Sequence, residues 1–174
     1  RRQMHRPFRK PLIIFAPKSL LRHKSAVSKL EEMGPKTTFH RVLWDDTQPS
    51  PDDKIKRVVL CTGKIYFDLC DEREKQKIKD TAILRVEQLY PFPFNALGKE
   101  IARYKNAKTV VWCQEEPKNL GYWQFVESRI EETLSKSKLA AKRPVYAGRP
   151  ESAATATGLY KRHNAEQAKL INAA

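Results

Sequence analysis

The stretch Thr109–Trp123, TVVWCQEEPKNLGYW, changes character twice. It opens as an apolar, β-branched run, TVVWC, and breaks into Gln114-Glu115-Glu116-Pro117. After Asn119-Leu120-Gly121 it resumes with Trp123, Val126, Ile130 and Leu134 at helical spacing. A continuous apolar run bounded by turn residues fits a strand buried on both faces, and the polar residues behind it are those a strand delivers to the edge of its sheet. The stripe after Gly121 marks one face of a helix to about Ser135. Strand followed by helix is half of a βαβ unit, in which parallel strands are joined by right-handed crossovers.

The same alternation extends in both directions. Arg57–Cys61 (RVVLC) reads as a strand, Thr62-Gly63 as a turn, and Lys64 to about Lys79 as a helix with Ile65, Leu69 and Ile78 on its apolar stripe. Ala82–Val86 is a further strand, followed by the Pro91/Pro93 turn and a helix from Asn95 to Tyr104. A last strand falls near Pro144–Ala147 and a last helix near Ala165–Asn172. Towards the N-terminus, LIIFA (Leu12–Ala16) has the continuous apolar character of a first buried strand. Pro17 ends it, and Ser19 is expected to cap a short helix carrying Leu20 and Leu21. A second helix is expected over Ser25–Met33 and a short strand over Phe39–Leu43. DDTQPSPDD (Asp45–Asp53) is an acidic, Pro-rich loop. The expected fold is α/β: three layers, with a mostly parallel sheet and helices on both faces. Residues 1–174 form one domain, with 1–10 a linker.

Composition narrows the function. Every hydrophobic run is too short to span a membrane, and the polar, basic start Arg1-Arg2-Gln3-Met4 has no signal-peptide core and reads like the middle of a longer polypeptide. The three cysteines show no CxxC or zinc-ligand spacing, and Cys61 and Cys113 lie in apolar runs, which fits a reducing compartment. A net charge of +14 raises the question of nucleic acid. The charge is unevenly spread, however: Arg1–Lys24 is uniformly basic with no carboxylate, while DLCDEREKQKIKD and VESRIEETLSKSK mix both signs as solvated helix faces do. No nucleic-acid-binding motif accompanies the charge.

With LIIFA as the first strand, the carboxyl edge of the sheet collects Lys18, Arg22, Glu87, Glu115, Glu116 and Arg149. Charges gathered there need partners, either one another or a neighbouring domain. For Arg149, held extended by Pro150, the expected partner is Glu115, Glu116 or a carboxylate from that neighbour. Glu115 and Glu116, adjacent on a strand end, point to opposite faces and suit helix capping better than shared acid/base work. CTGK (Cys61–Lys64) fails as a phosphate loop, and Gly63 is read as a turn residue. His5, His23, His40 and His163 lack metal-ligand spacing and are expected at the surface.

RKPLIIFAPKSLLRH (Arg9–His23), VEQLYPFPF (Val86–Phe94), WCQEEPKNLGYW (Trp112–Trp123) and YAGRPESAATATG (Tyr146–Gly158), in that order, resemble the C-terminal part of the E1 component of 2-oxoglutarate dehydrogenase. That family is thiamine-diphosphate-dependent and transketolase-like. The resemblance covers essentially the whole chain and implies a transketolase-like C-terminal domain. The implied parent enzyme decarboxylates 2-oxoglutarate and succinylates lipoamide within the tricarboxylic acid cycle. It also implies thiamine diphosphate and Mg²⁺ in the parent enzyme. The family's GDG motif is absent here, and its cofactor-activating glutamate belongs to the preceding domain. The chain alone therefore has no catalytic, cofactor-binding or metal residues and is expected to be inactive. The implied partners are the preceding thiamine-binding domains, a second copy in a homodimer, the E2 dihydrolipoyl succinyltransferase and E3. The implied location is the mitochondrial matrix in a eukaryote or the cytoplasm in a bacterium. Some relatives bind acetyl-CoA at this domain, and Lys18, Arg22, Arg149 and Ser152, with Thr155 and Thr157, are the residues offered to such a ligand. The E1 of 2-oxoadipate dehydrogenase, with the same C-terminal architecture, and a free-standing basic α/β module for RNA or acidic ligands are the alternatives.

Overall fold

A computed structural model describes residues 3–174; Arg1 and Arg2 of the basic N-terminal stretch lie outside them. The strands are β1 (Val42–Leu43), β2 (Arg57–Cys61), β3 (Thr81–Val86), β4 (Thr109–Pro117) and β5 (Val145–Arg149). The helices are α1 (Ile65–Lys75), α2 (Phe94–Ile101), α3 (Trp123–Ser135) and α4 (Tyr160–Ala173). They build one sheet in the order β1-β3-β2-β4-β5. β2 to β5 are parallel, and the two-residue β1 runs antiparallel against β3.

Strand alternation sorts the core into two layers. Val58, Leu60, Ala82, Leu84, Val110 and Trp112 face α2 and α3, where Leu97, Ile101, Trp123, Val126, Ile130 and Leu134 meet them. Val59, Cys61, Ile83, Val111, Cys113 and Ala147 face α1 and α4, where Ile65, Leu69 and Leu170 meet them. Both faces of the central strands are covered, which is why their sequences read as unbroken apolar runs.

The N-terminal region departs from the sequence reading. Leu12–Ala16 is irregular and exposed rather than a strand, because a segment apolar on both faces needs cover on both faces and α1–α4 are already used by the five strands. Lys18–Arg22 is a 3-10 helix preceded by Pro17, with no cap from Ser19. Only Leu30–Met33 of the second expected helix is helical, as one 3-10 turn, since Val27, Leu30 and Met33 have no core to pack against. α4 starts at Tyr160, ahead of the expected Ala165, and α1 ends at Lys75, leaving Ile78 half-buried beyond it.

The acidic loop is tied down more firmly than its composition suggests. Asp45 is buried and takes a bidentate pair from Arg73 near the C-terminus of α1; it also accepts the backbone N–H of Ile83 at 2.9 Å. Arg73 further donates to the carbonyls of Thr81 and Thr47, both at 3.0 Å. Asp52 receives Gln48 at 2.8 Å and Arg103 at 3.1 Å, and these contacts hold its carboxyl below the usual range, Gln48 foremost.

Candidate functional site

The carboxyl ends of the parallel strands converge on one edge, where open α/β sheets place their ligands and partners. At β2 the chain turns through Gly63, whose φ of 74° only glycine adopts without strain, and enters α1. β4 continues past Cys113, and its register with β5 slips there: Cys113 faces Ala147 and Pro117 faces Arg149, so four residues of β4 span two of β5. The slip frees Gln114, Glu115 and Glu116 from regular pairing.

Gln114, 2% exposed, is the hub on the α3 side. Its Oε1 accepts from the Trp112 indole N–H at 3.0 Å and from the backbone N–H groups of Tyr122 and Trp123 at 3.2 and 2.9 Å. Its Nε2 donates to the carbonyls of Leu120, Pro117 and Glu116 at 2.8 to 3.2 Å. One side chain thus caps α3 and closes the preceding loop, a role expected instead of Glu115 and Glu116. The loop closes on Gly121 (φ 66°), where a Cβ would lie 2.9 Å from the Glu116 Cβ and 3.0 Å from the Gln114 Nε2.

On the opposite layer a polar chain joins three elements. Glu115 accepts from Lys64 at the start of α1 and from Gln167 of α4 at 2.9 Å. Gln167 also donates to Asp68 at 2.9 Å and accepts from Arg149 at 3.2 Å. Arg149, 7% exposed, reaches Glu166 at 2.9 Å and His163 Nδ1 at 3.1 Å. Glu166 also takes Arg162 at 2.7 Å; that contact first, and Arg149 after it, holds its carboxyl below the usual range. Arg149 is therefore paired with Glu166, not with Glu115 or Glu116: the extended backbone aims it at α4, whose His163, Glu166 and Gln167 lie three and four residues apart on one face. That spacing is legible in the sequence. The reach of Arg149 across 17 residues is not.

The other expected edge residues are dispersed. Lys18 and Arg22 are exposed on the 3-10 helix and form no ion pair among the described residues. Glu87 lies 3.8 Å from Arg85, and Glu116 is exposed. Ser152 is exposed on a loop clamped by Asn119, whose amide exchanges two 3.0 Å hydrogen bonds with the Ser152 backbone. His23 and His163 are half-buried rather than exposed.

This edge has little reactive chemistry. Burial pushes the Cys113 thiol up to about 12 and the Cys61 thiol up as well, so neither is a nucleophile at neutral pH. Among the described residues no three His, Cys, Asp or Glu side chains are gathered to hold a metal. No helix among them is long and apolar enough to cross a membrane.

Residues 27–174 match the family described as 2-oxoglutarate dehydrogenase C-terminal. The chain is 52% identical to the 2-oxoglutarate dehydrogenase E1 components of Brucella anthropi and Brucella ovis and 51% to that of Brucella abortus. Each alignment covers 98% of this chain and 18% of the relative, so the chain spans under a fifth of the length of those proteins. A solved structure described as a split-gene transketolase, inactive β4 tetramer, superposes with a TM-score of 0.51 at 14% identity. It covers 80% of this chain and 42% of that one, and supports the α/β fold. With 148 of its 174 residues matched by the family and 52% identity to these relatives, this chain belongs to the 2-oxoglutarate dehydrogenase C-terminal family.

Proposed function

We propose that the chain serves as the C-terminal assembly domain of a thiamine-diphosphate-dependent E1 that decarboxylates 2-oxoglutarate and transfers the succinyl group to the lipoamide of an E2 partner. The observation that carries this reading is the 52% identity over 98% of the chain to proteins of that name. The residues present do not suit thiamine diphosphate or Mg²⁺. Glu115 is engaged by Lys64 and Gln167, and Glu166 by Arg149 and Arg162. The cofactor chemistry falls to the remaining part of the polypeptide.

In this reading the polar chain from Lys64 to Arg162 stiffens the carboxyl edge. The exposed Lys18, Arg22, Glu116 and Ser152 present contacts to the thiamine-binding domains, to the second subunit or to an acidic effector. The test is 2-oxoglutarate-dependent ferricyanide reduction. The full-length protein is expected to turn over 2-oxoglutarate faster than 2-oxoadipate, and the 174-residue chain alone to turn over neither. A full-length protein active only on 2-oxoadipate overturns the substrate assignment, and activity of the short chain overturns the assembly role.

A further inference from the structure

Leu12, Ile13, Ile14 and Phe15 are 63, 78, 74 and 96% exposed, five consecutive apolar residues counting Ala16. Their backbone groups make no hydrogen bond among the described residues; the first backbone bond after the run is from Leu20 to the Pro17 carbonyl, at 3.1 Å. We propose that Leu12–Ala16 is an interior strand of a second β-sheet, one contributed by the part of the polypeptide that precedes this chain. The proposal rests on the reading of the chain as the C-terminal part of a longer E1.

Residue pattern selects this occupant. In an extended conformation Leu12, Ile14 and Ala16 project to one face and Ile13 and Phe15 to the other. Both faces are apolar, as in a strand covered by helices on both sides; an edge strand of a half-wet sheet would alternate. Two copies of this chain pairing here would leave a two-stranded ribbon wet on both faces, which is marginal in water. Five residues are far too few to span a bilayer. The proteins this chain resembles carry more than four-fifths of their length outside the matched region, and the family match begins only at Val27. The run is flanked on both sides by carboxylate-free basic residues: Arg6, Arg9 and Lys10 before it, Lys18, Arg22 and Lys24 after it. Such flanks oppose self-pairing of an apolar strand while it is exposed.

The structure also limits where that sheet lies. Just beyond the run the chain is moored to α1: Leu20 and Ala26 pack on the core cluster beneath it, and the His23 ring lies 5.0 Å from that of Phe67. From Ala16 to His23 a fully extended chain reaches about 25 Å at most. Phe67 stands in the first turn of α1, directly after the carboxyl end of β2. The second sheet therefore stands within that reach of the carboxyl edge.

Hydrogen exchange on the full-length protein, read by mass spectrometry, tests this. The amides of Ile13–Ala16 are expected to exchange at least about a thousandfold more slowly than the rates intrinsic to their sequence, as core strands do. Exchange within about tenfold of the intrinsic rates overturns the proposal. So does protection that disappears when the protein is diluted to monomers, which would mark pairing between copies. Ile14→Asp is expected to remove the protection or the soluble protein, while Ile14→Val keeps both. Assaying 2-oxoglutarate turnover on the same sample separates the two readings. An active protein unprotected at these residues loses only the strand, and a protected protein inactive on 2-oxoglutarate loses only the enzyme assignment.

Discussion

At the scale of single residues, two buried polar groups hold more of this molecule than their size suggests. Gln114 satisfies three donors and three acceptors around the start of α3. Gln114→Met keeps the volume and strands those groups, and each unsatisfied buried group costs about 1–3 kcal/mol. Chemical denaturation is expected to show a loss of roughly 3 kcal/mol or more. Asp45→Ala would leave the Arg73 guanidinium buried without its partner, a loss of about 3–5 kcal/mol; Asp45→Ala with Arg73→Met should recover much of it. If the double variant is no more stable than Asp45→Ala alone, the pair is not the origin of the loss. Neither group is legible as structural from the sequence. The acidic loop looks disposable because nothing local shows that Asp45 meets a side chain 28 positions away.

At the scale of elements, the β2–α1, β3–α2 and β4–α3 units are legible because strand and helix periods differ cleanly there, and Trp123, Val126, Ile130 and Leu134 are all buried as the helical stripe requires. Trp112 is fully buried, and Trp112→Ala or Trp123→Ala is expected to cost about 3–5 kcal/mol, measured by thermal or urea unfolding. Strand ends are less legible, since β4 runs four residues beyond its apolar part, held by pairing with β5 that no propensity encodes. The β2 and β4 thiols give a pH signature. Below about pH 9 the Cys113 thiol is protonated in both folded and unfolded chains. Above that the unfolded thiol ionises while the folded one stays protonated to about 12, so stability should fall as pH rises from about 9. Cys113→Ala should flatten that alkaline decline; an unchanged slope would mean that other groups dominate it.

At the scale of the whole molecule, sequence pattern and structure part company over the N-terminal region, up to about Met33. The apolar run Leu12–Ala16 calls for cover on both faces, and the five-stranded sheet does not supply it. A sequence reports that a segment needs cover without saying which body provides it. Arg149, expected at a boundary between bodies, instead fastens α4 to the sheet. Arg149→Ala should accordingly speed hydrogen exchange along Tyr160–Ala173 more than it weakens the proposed homodimer, and sedimentation beside exchange would decide. The register slip between Cys113 and Pro117 has a further consequence, for how this chain tolerates change. Gln114 and Glu115 are neighbours on the backbone yet serve opposite layers, one capping α3 and the other gripping α1 and α4. The two halves of the domain are thereby genetically coupled: substitutions at Gln114 and Gln167, which share no contact, should show epistasis, their combined effect departing from the sum by more than about 0.5 kcal/mol.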